Sequence, residues 1–490
     1  MTAYQDLLSH LRETAAFEKI AQRLSWDQET VMPRGAADDR AEETGALEAI
    51  LHARRTDPRI SDWLARAEAR NEVEARVLDM ASRDYNRAMR IPARLASELA
   101  RLTSLSQGIW ADARAAEDPS AFLPMFEEVV RLKREEAQAL SDGRDPYDAL
   151  LEAYEPGTSA KEIGRVFDRM RPRLVDLCER VAGSSVKPAA LDHVFPEQAQ
   201  MRLSRICASA FGYDWTRGRM DLAVHPFSTG SGNDVRITTR VVERDPFNNI
   251  YSTIHETGHA CYEQAIDQAY NFTPLGAGVS MGVHESQSRI YENQLGRSRA
   301  FTGWLYQRMT EMFGDFGVAD ADAFFATANR VAPGYIRTEA DELHYNLHIM
   351  MRFDLERDLI SGKLDVMDLE EAWNTRFKAD FGLVVDKPSN GFLQDVHWPV
   401  GLFGYFPTYA LGNLYAGCLM KSLRGSVPDL DTSLAEGHAA PATDWLRENL
   451  QRHGGLREPV ETIRTACGFT PDETPLLDYL EEKFSAIYDL

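Results

Sequence analysis

The sequence predicts a mainly α-helical fold with one small β-hairpin, and three observations carry that expectation. Apolar residues recur at spacings of three and four over most of the chain, as in Leu7, Leu8 and Leu11 or Ile91, Leu95, Leu99 and Leu102, the period of a helix with one buried face. β-Branched residues in strand-like alternation gather only between Met220 and Glu243. The chain has 490 residues, 44% hydrophobic and 27% charged, which suits a globular protein long enough for a large core or for two lobes around a cleft.

From residue 1 to about 185 the pattern is helix after helix. Turn signals interrupt it at Met32-Pro33-Arg34-Gly35, Asp57-Pro58, Asp118-Pro119 and Asp142-Gly143-Arg144-Asp145-Pro146. The phrase Ser25 to Pro33, SWDQETVMP, is expected to pack its Trp and Met in core. A Gly-Ser-Ser and a Lys-Pro pair make Ala182 to Pro196 the candidate linker, dividing a helical N-terminal lobe, residues 1–185, from a portion spanning 186–490. Then the period changes: MDLAVHPF and DVRITTRVVE flank a turn-rich 228–233 segment and read as a β-hairpin at the edge of a cleft. Asp245-Pro246 offers an N-cap and a first-turn proline to a helix running to about Ala269, and helices dominate to the C-terminus. There is no internal repeat.

Lys plus Arg number 54 against 76 Asp plus Glu, a net charge of -22, which argues against nucleic acid or an anionic membrane as partner. Five scattered cysteines without a C-x-x-C pair suit a reducing cytoplasm and no thiolate metal site. The N-terminus lacks the regions of a signal peptide, so export is not expected. Val396 to Met420 carries no Asp, Glu, Lys or Arg, a length sufficient to cross a bilayer. Its interior prolines and four glycines break such a helix, and a buried segment lining a cleft explains the same composition.

The chemistry centres on Ile254 to Gln264, IHETGHACYEQ. Histidines four apart share one helix face, so His255 and His259 can grip one metal ion, and Glu256 can reach a water bound to it. This is the H-E-x-x-H zinc peptidase signature, with the glutamate as general base. Catalytic zinc generally takes three protein ligands and a water. The metzincin solution fails, because Tyr262 and Ala265 stand where Gly and His are required. A glutamate from a following helix is the other common solution, and MGVHESQSRIYENQ supplies Glu285, with 25 residues between it and His259. His284 and Glu292 compete for that place, and Arg289, one turn on, offers Glu285 an ordinary ion pair instead. His344 and His348 form a second such pair, but no acidic residue lies between them, and they read as core packing.

Six segments in order, HPF (225–227), DVRIT (234–238), HETGH (255–259), HESQ (284–287), IRTEAD (336–341) and GFLQDVHW (391–398), closely resemble the carboxypeptidase Taq family of zinc metallocarboxypeptidases. SWDQETVMP also looks like that family, so the resemblance extends over the whole chain. It implies zinc on His255, His259 and Glu285, with cobalt as a possible substitute, Glu256 as base, and a helical two-lobed body around a deep groove. The run HWPVGLFGYFPTY is similar to the His and Tyr segment of angiotensin-converting enzyme and its relatives, which makes His397, Tyr405 and Tyr409 candidates for holding the oxyanion, Tyr405 first. A carboxypeptidase must bind a free carboxylate, for which a buried arginine is best suited. Arg337 is the leading choice; a salt bridge to Glu339 or Asp341 is its alternative. By the resemblance, His225 and Arg236 belong to the groove wall, specificity is broad with difficulty at proline, and the protein is a homodimer. The competing readings are an oligopeptidase or aminopeptidase sharing the metal helix, although no G-x-M-E-N segment is present, and a non-catalytic zinc-binding protein.

Overall fold

The turn signals fall where helices stop. In the computed structural model, which describes residues 2–490, helices Ala3–Thr30, Ala37–Arg55, Ala93–Ala116 and Phe122–Ser141 end just ahead of the four breaks. Capping chemistry sets several of their neighbours' starts. Asp118, Asp145 and Asp245 each accept a backbone N–H at the head of a helical turn whose first residue is proline. Thr2 and Gln5 form a reciprocal capping box at the first helix. Trp26 is buried, as expected, while Met32 is half-buried. Helix accounts for 69% of the chain.

The only sheet among the described residues has three strands in the order β1 (Met220–Leu222), β3 (Asp234–Thr239), β2 (Ser228–Ser231). β2 and β3 make the hairpin, whose turn uses left-handed backbone at Gly232, while Gly230 takes a positive φ within β2. β1 instead runs parallel to β3, Met220 opposite Ile237, so the sheet is mixed rather than a plain hairpin.

The chain divides into two compact units, each drawn from three stretches. The first comprises Met1–Met89, Pro188–Ala328 and Tyr415–Pro471, and the second Arg90–Lys187, Asn329–Leu414 and Asp472–Leu490. One passage between them, at Lys187–Pro188, lies inside the stretch whose composition reads as a linker.

In the first unit the Pro246–Ala265 helix is buried on almost every side, with Ile250, Tyr251, Ile254, Ala260 and Tyr262 in the core. It ends at Ala265 rather than Ala269, and a short 3-10 turn, Gln268–Tyr270, follows. β3 is stitched to it by polar side chains: Asn249 Nδ2 and Thr253 Oγ1 both donate to Thr239 Oγ1, at 2.9 and 3.0 Å. In the second unit the His344–Ser361 helix is equally enclosed, burying Leu347, Ile349, Met350, Met351, Phe353 and Leu355. Its Glu356 accepts from Tyr147 Oη (2.6 Å), Trp398 Nε1 (2.9 Å) and Gly404 N (3.0 Å), which ties the 391–406 segment to the helix. No helix among the described residues is long and apolar enough to cross a membrane. The uncharged Val396–Met420 stretch is a loop that enters the Pro407–Ser426 helix.

Candidate metal centre and guanidinium cluster

In the first unit, two helices bring three donors together. His255 and His259 lie one turn apart on the Pro246–Ala265 helix, with ring centroids 5.0 Å apart. Glu285 comes from the Met281–Arg289 helix, started by Ser280, whose Oγ accepts Val283 N. Its Oε2 lies 3.6 Å from His255 Nε2 and 3.4 Å from His259 Nε2. The glycine of HETGH makes this possible. A Cβ on Gly258 would lie 2.5 Å from Gln287 O and 2.7 Å from Ser288 Cα, so the two helices touch backbone to backbone just where Glu285 must reach the histidines. Arg289 does pair with Glu285, but through Oε1, at 2.6 Å. The other carboxylate oxygen remains directed at the imidazoles.

The arrangement fits a tetrahedral metal with one open position. Donors about 2.1 Å from a zinc ion stand about 3.4 Å from one another in a tetrahedron, and the two measured separations from Glu285 match. His255, His259 and Glu285 are also the only group of three such side chains found close enough to hold an ion among the described residues. His284 and Glu292 stand behind the ligands instead of beside them. Glu292 Oε2 is 2.9 Å from His255 Nδ1, and His284 Nδ1 is 2.6 Å from His259 Nδ1. Glu292 is reached in turn by Arg289 Nη1 (3.3 Å) and Arg297 Nη2 (3.5 Å). It lies on a π-helical segment, Ile290–Gly296, a geometry rare enough to mark functional sites.

Burial and neighbouring charge set the protonation states. Burial pushes Glu285 up, but Arg289 and His255 outweigh it and hold the carboxyl well below the usual range. Burial, helped by His284 and His255 and opposed by Glu285, drives His259 down to about 3, a neutral imidazole ready to ligate. His255 is pushed down by burial and up more strongly by Glu285 and Glu292, ending above its ordinary value. Glu256 is 6% exposed, and burial, reinforced by Glu285 and Glu292, pushes it up to about 7.

The hairpin residues lie in the same unit. Arg236, on β3, forms a two-point pair with Asp234 at 2.8 and 2.9 Å, and its guanidinium covers Trp26 at 4.2 Å. It lines a cavity of about 220 Å³ with Lys19, Asn271 and Phe272. His225 is exposed, in the bend between β1 and β2.

The second unit holds Arg337, and its partner is neither Glu339 nor Asp341. Arg337 Nε and Nη2 both lie 2.9 Å from Asp395 Oδ1. Arg352 approaches Asp395 Oδ2 with Nε and Nη2, each at 2.6 Å. Arg337 also donates to Tyr345 Oη at 3.4 Å and lies over the rings of Tyr409 (5.1 Å) and Phe406 (5.5 Å). Asp341 is occupied elsewhere, accepting from Ala332 N, Leu343 N and His344. That contact also removes His344 from any metal pair with His348. Two buried guanidiniums therefore share one carboxylate. His397 and His348 add no charge: burial, then Arg337, lowers His397 to about 3, and burial, then Arg352, lowers His348 well below its ordinary value. His397 Nε2 is 3.3 Å from Tyr409 Oη, and Tyr405 and Tyr409 pack edge to face at 5.3 Å. Asp395 and Arg352 are the partners in this cluster that local sequence reasoning missed. Asp395 was in view inside GFLQDVHW, but no spacing rule links it to Arg337, 58 residues earlier.

Residues 6–484 match the family described as carboxypeptidase Taq (M32) metallopeptidases. The chain is 40% identical to thermostable carboxypeptidase 1 of Thermus thermophilus, over 99% of both chains. It is 34% identical to carboxypeptidase 1 of Bacillus subtilis, again over 99% of both. The crystal structure of the M32 carboxypeptidase from Deinococcus radiodurans superposes with a TM-score of 0.96 at 38% identity, covering 100% of each chain.

Proposed function

The chain belongs to the carboxypeptidase Taq (M32) metallopeptidase family, and on that premise we propose the following reading of this metal-dependent peptide hydrolase. It releases single residues from the free carboxyl ends of peptides, with broad specificity. Zinc is the metal, held by His255, His259 and Glu285, and cobalt can replace it. The full 1–490 chain acts as one catalytic unit, a cytoplasmic homodimer. Five free cysteines accord with a reducing compartment.

A divalent metal in this ligand set supplies Lewis acidity, lowering the pKa of water toward about 7 and polarising a carbonyl. Glu256 takes the proton of the attacking water on a carboxylate oxygen and hands it to the leaving amine. Its buried position supports that work, since a carboxyl pushed up to about 7 is poised between accepting and releasing a proton. Tyr405, with Tyr409 as the second choice and His397 beside them, donates to the oxyanion. Arg236 and His225 limit how much peptide enters.

The observation that carries attack from the carboxyl end is the charge count at Asp395. Arg337 and Arg352 are buried, share one carboxylate, and have only neutral imidazoles near them, which leaves one positive charge in excess. An excess buried cation is costly until an anion meets it, and a peptide's terminal carboxylate has the planar shape that a guanidinium pairs with best. The test is a peptide presented as free acid and as C-terminal amide. The free acid should be cut and the amide left intact; equal cleavage of both would remove Arg337 from recognition. Glu256→Gln should keep its metal and lose hydrolysis, and an active variant would remove Glu256 from the mechanism.

A further inference from the structure

Each histidine of the metal pair has its second ring nitrogen engaged, but in different ways. His255 Nδ1 meets a carboxylate directly, Glu292 at 2.9 Å. His259 Nδ1 meets another imidazole nitrogen, His284 Nδ1, at 2.6 Å, and the far nitrogen of that ring, Nε2, lies 2.9 Å from Glu263 Oε1. Glu263 is buried, and its Oε1 also accepts Gly278 N at 2.9 Å.

We propose that Glu263 and His284 are positioning residues that act in series to fix the tautomer of His259, and so set how tightly the metal is held. The proposal rests on the reading that His255, His259 and Glu285 bind the metal. The direction of each hydrogen bond follows from what each atom is able to do. As a carboxylate, Glu263 only accepts, so the proton of a neutral His284 lies on Nε2. The Nδ1 of His284 is then a lone pair, and the single proton between the two Nδ1 atoms belongs to His259. With its proton on Nδ1, His259 presents an unprotonated Nε2 toward Glu285, the form a metal requires. Reversing the chain at any link would place a proton on His259 Nε2 and block ligation. Space around the relay is fixed as well: a Cβ on Gly278 would lie 2.6 Å from His284 Cδ2 and 2.9 Å from Tyr262 Cε1. The ring of His284 therefore has little room to turn and break the sequence.

The measurement is zinc affinity by competition with a chelator, with metal-free thermal unfolding as the control for folding. Glu263→Leu and His284→Phe should each weaken zinc binding roughly 10- to 100-fold, the range seen when an outer partner of a ligating histidine is lost. Glu263→Gln keeps an acceptor for His284 Nε2 and should recover most of that loss. Because Glu263 acts only through His284, adding Glu263→Leu to His284→Phe should cost nothing further. Single losses that multiply in the double variant would overturn the series arrangement, as would single variants that hold zinc within twofold of the unaltered protein. Glu285→Ala separates the two readings: if it too binds zinc normally, the ligand assignment fails, and if it alone loses zinc, only the relay fails.

Discussion

Gly258→Ala adds one methyl group at the tightest point of the metal centre, and the structure allows its effect to be worked through. The new Cβ would sit 2.5 Å from Gln287 O, whereas ordinary contact begins at 3.4 Å. The atoms that must give way are backbone, so the Met281–Arg289 helix has to recede by close to the difference, about 0.9 Å. Glu285 rides on that helix. Its 3.4 and 3.6 Å separations from the two histidines would open toward 4.3 to 4.5 Å, well past the roughly 3.4 Å between donors of a tetrahedral zinc site. Overpacking of this kind costs about 1–3 kcal/mol, and alanine recovers up to about 1 kcal/mol by its better helix propensity. The metal-free protein should therefore lose no more than about 3 kcal/mol, while zinc affinity falls at least tenfold. Chelator competition reads the affinity, and urea unfolding of the metal-free protein reads the stability. Gly303→Ala is the matched control: it lies in the Arg299–Phe313 helix with nothing within 4 Å of its added Cβ, so it should be neutral or slightly stabilising. A Gly258→Ala protein that binds zinc within twofold of normal would refute the claim that backbone contact at this glycine places Glu285.

Other perturbations test the second unit and the metal. Burial pushes His344 down, but its hydrogen bond to Asp341 and its contact with Cys178 take it up to about 10. The folded state thus keeps a proton that the unfolded chain releases near pH 6.5, so this contribution is whole below that pH and drains away as pH rises toward 10. It is on the order of 5 kcal/mol, and His344→Gln should flatten the fall in stability measured by urea unfolding between those limits. Asp395→Asn leaves two buried guanidiniums without their carboxylate and should cost about 3–5 kcal/mol; a loss under 1 kcal/mol would show that the cluster tolerates its charge. Saturating zinc at a hundred times its dissociation constant should stabilise the protein by about 2.7 kcal/mol, seen as a rise in Tm that Glu285→Ala abolishes.

The proposed metal ligands were legible because helical periodicity is a local rule: four residues bring His255 and His259 onto one face without help from the rest of the chain. Glu285 was harder to single out, since its neighbours His284 and Glu292 offer equally good donors. What separates them is which way the Met281–Arg289 helix turns against Gly258, and that contact is tertiary. The π-helical turn that carries Glu292 back toward His255 has no sequence signature. Arg337 shows the same limit. Proximity in the chain pointed to Glu339 and Asp341, but Asp341 is spent on the start of the next helix, and the true partner arrives from a loop 58 residues away. The parallel strand β1 and the assembly of each unit from three separate stretches are likewise products of long-range pairing, to which hydrophobic period and turn residues are blind.

Charge explains why each unit's polar cluster invites a ligand. Around the candidate metal centre three buried carboxylates, Glu256, Glu263 and Glu285, and the half-buried Glu292 stand with two guanidiniums, Arg289 and Arg297. With the imidazoles neutral, as ligation requires, and all four carboxylates ionised, the group carries two negative charges in excess, the complement of one divalent cation. The upward push on Glu256 from Glu285 and Glu292 is the local sign of that excess, and a bound cation opposes it, freeing Glu256 to act as a base. At Asp395 the imbalance is one positive charge, the complement of one carboxylate. Replacing Arg352 by Met removes that excess while Arg337 keeps Asp395 as its partner. If excess charge, and not Arg337 alone, draws the substrate, the Arg352→Met protein should raise KM for free-acid peptides severalfold with a smaller change in kcat. An unchanged KM would mean that Arg352 serves only to hold Asp395 in place.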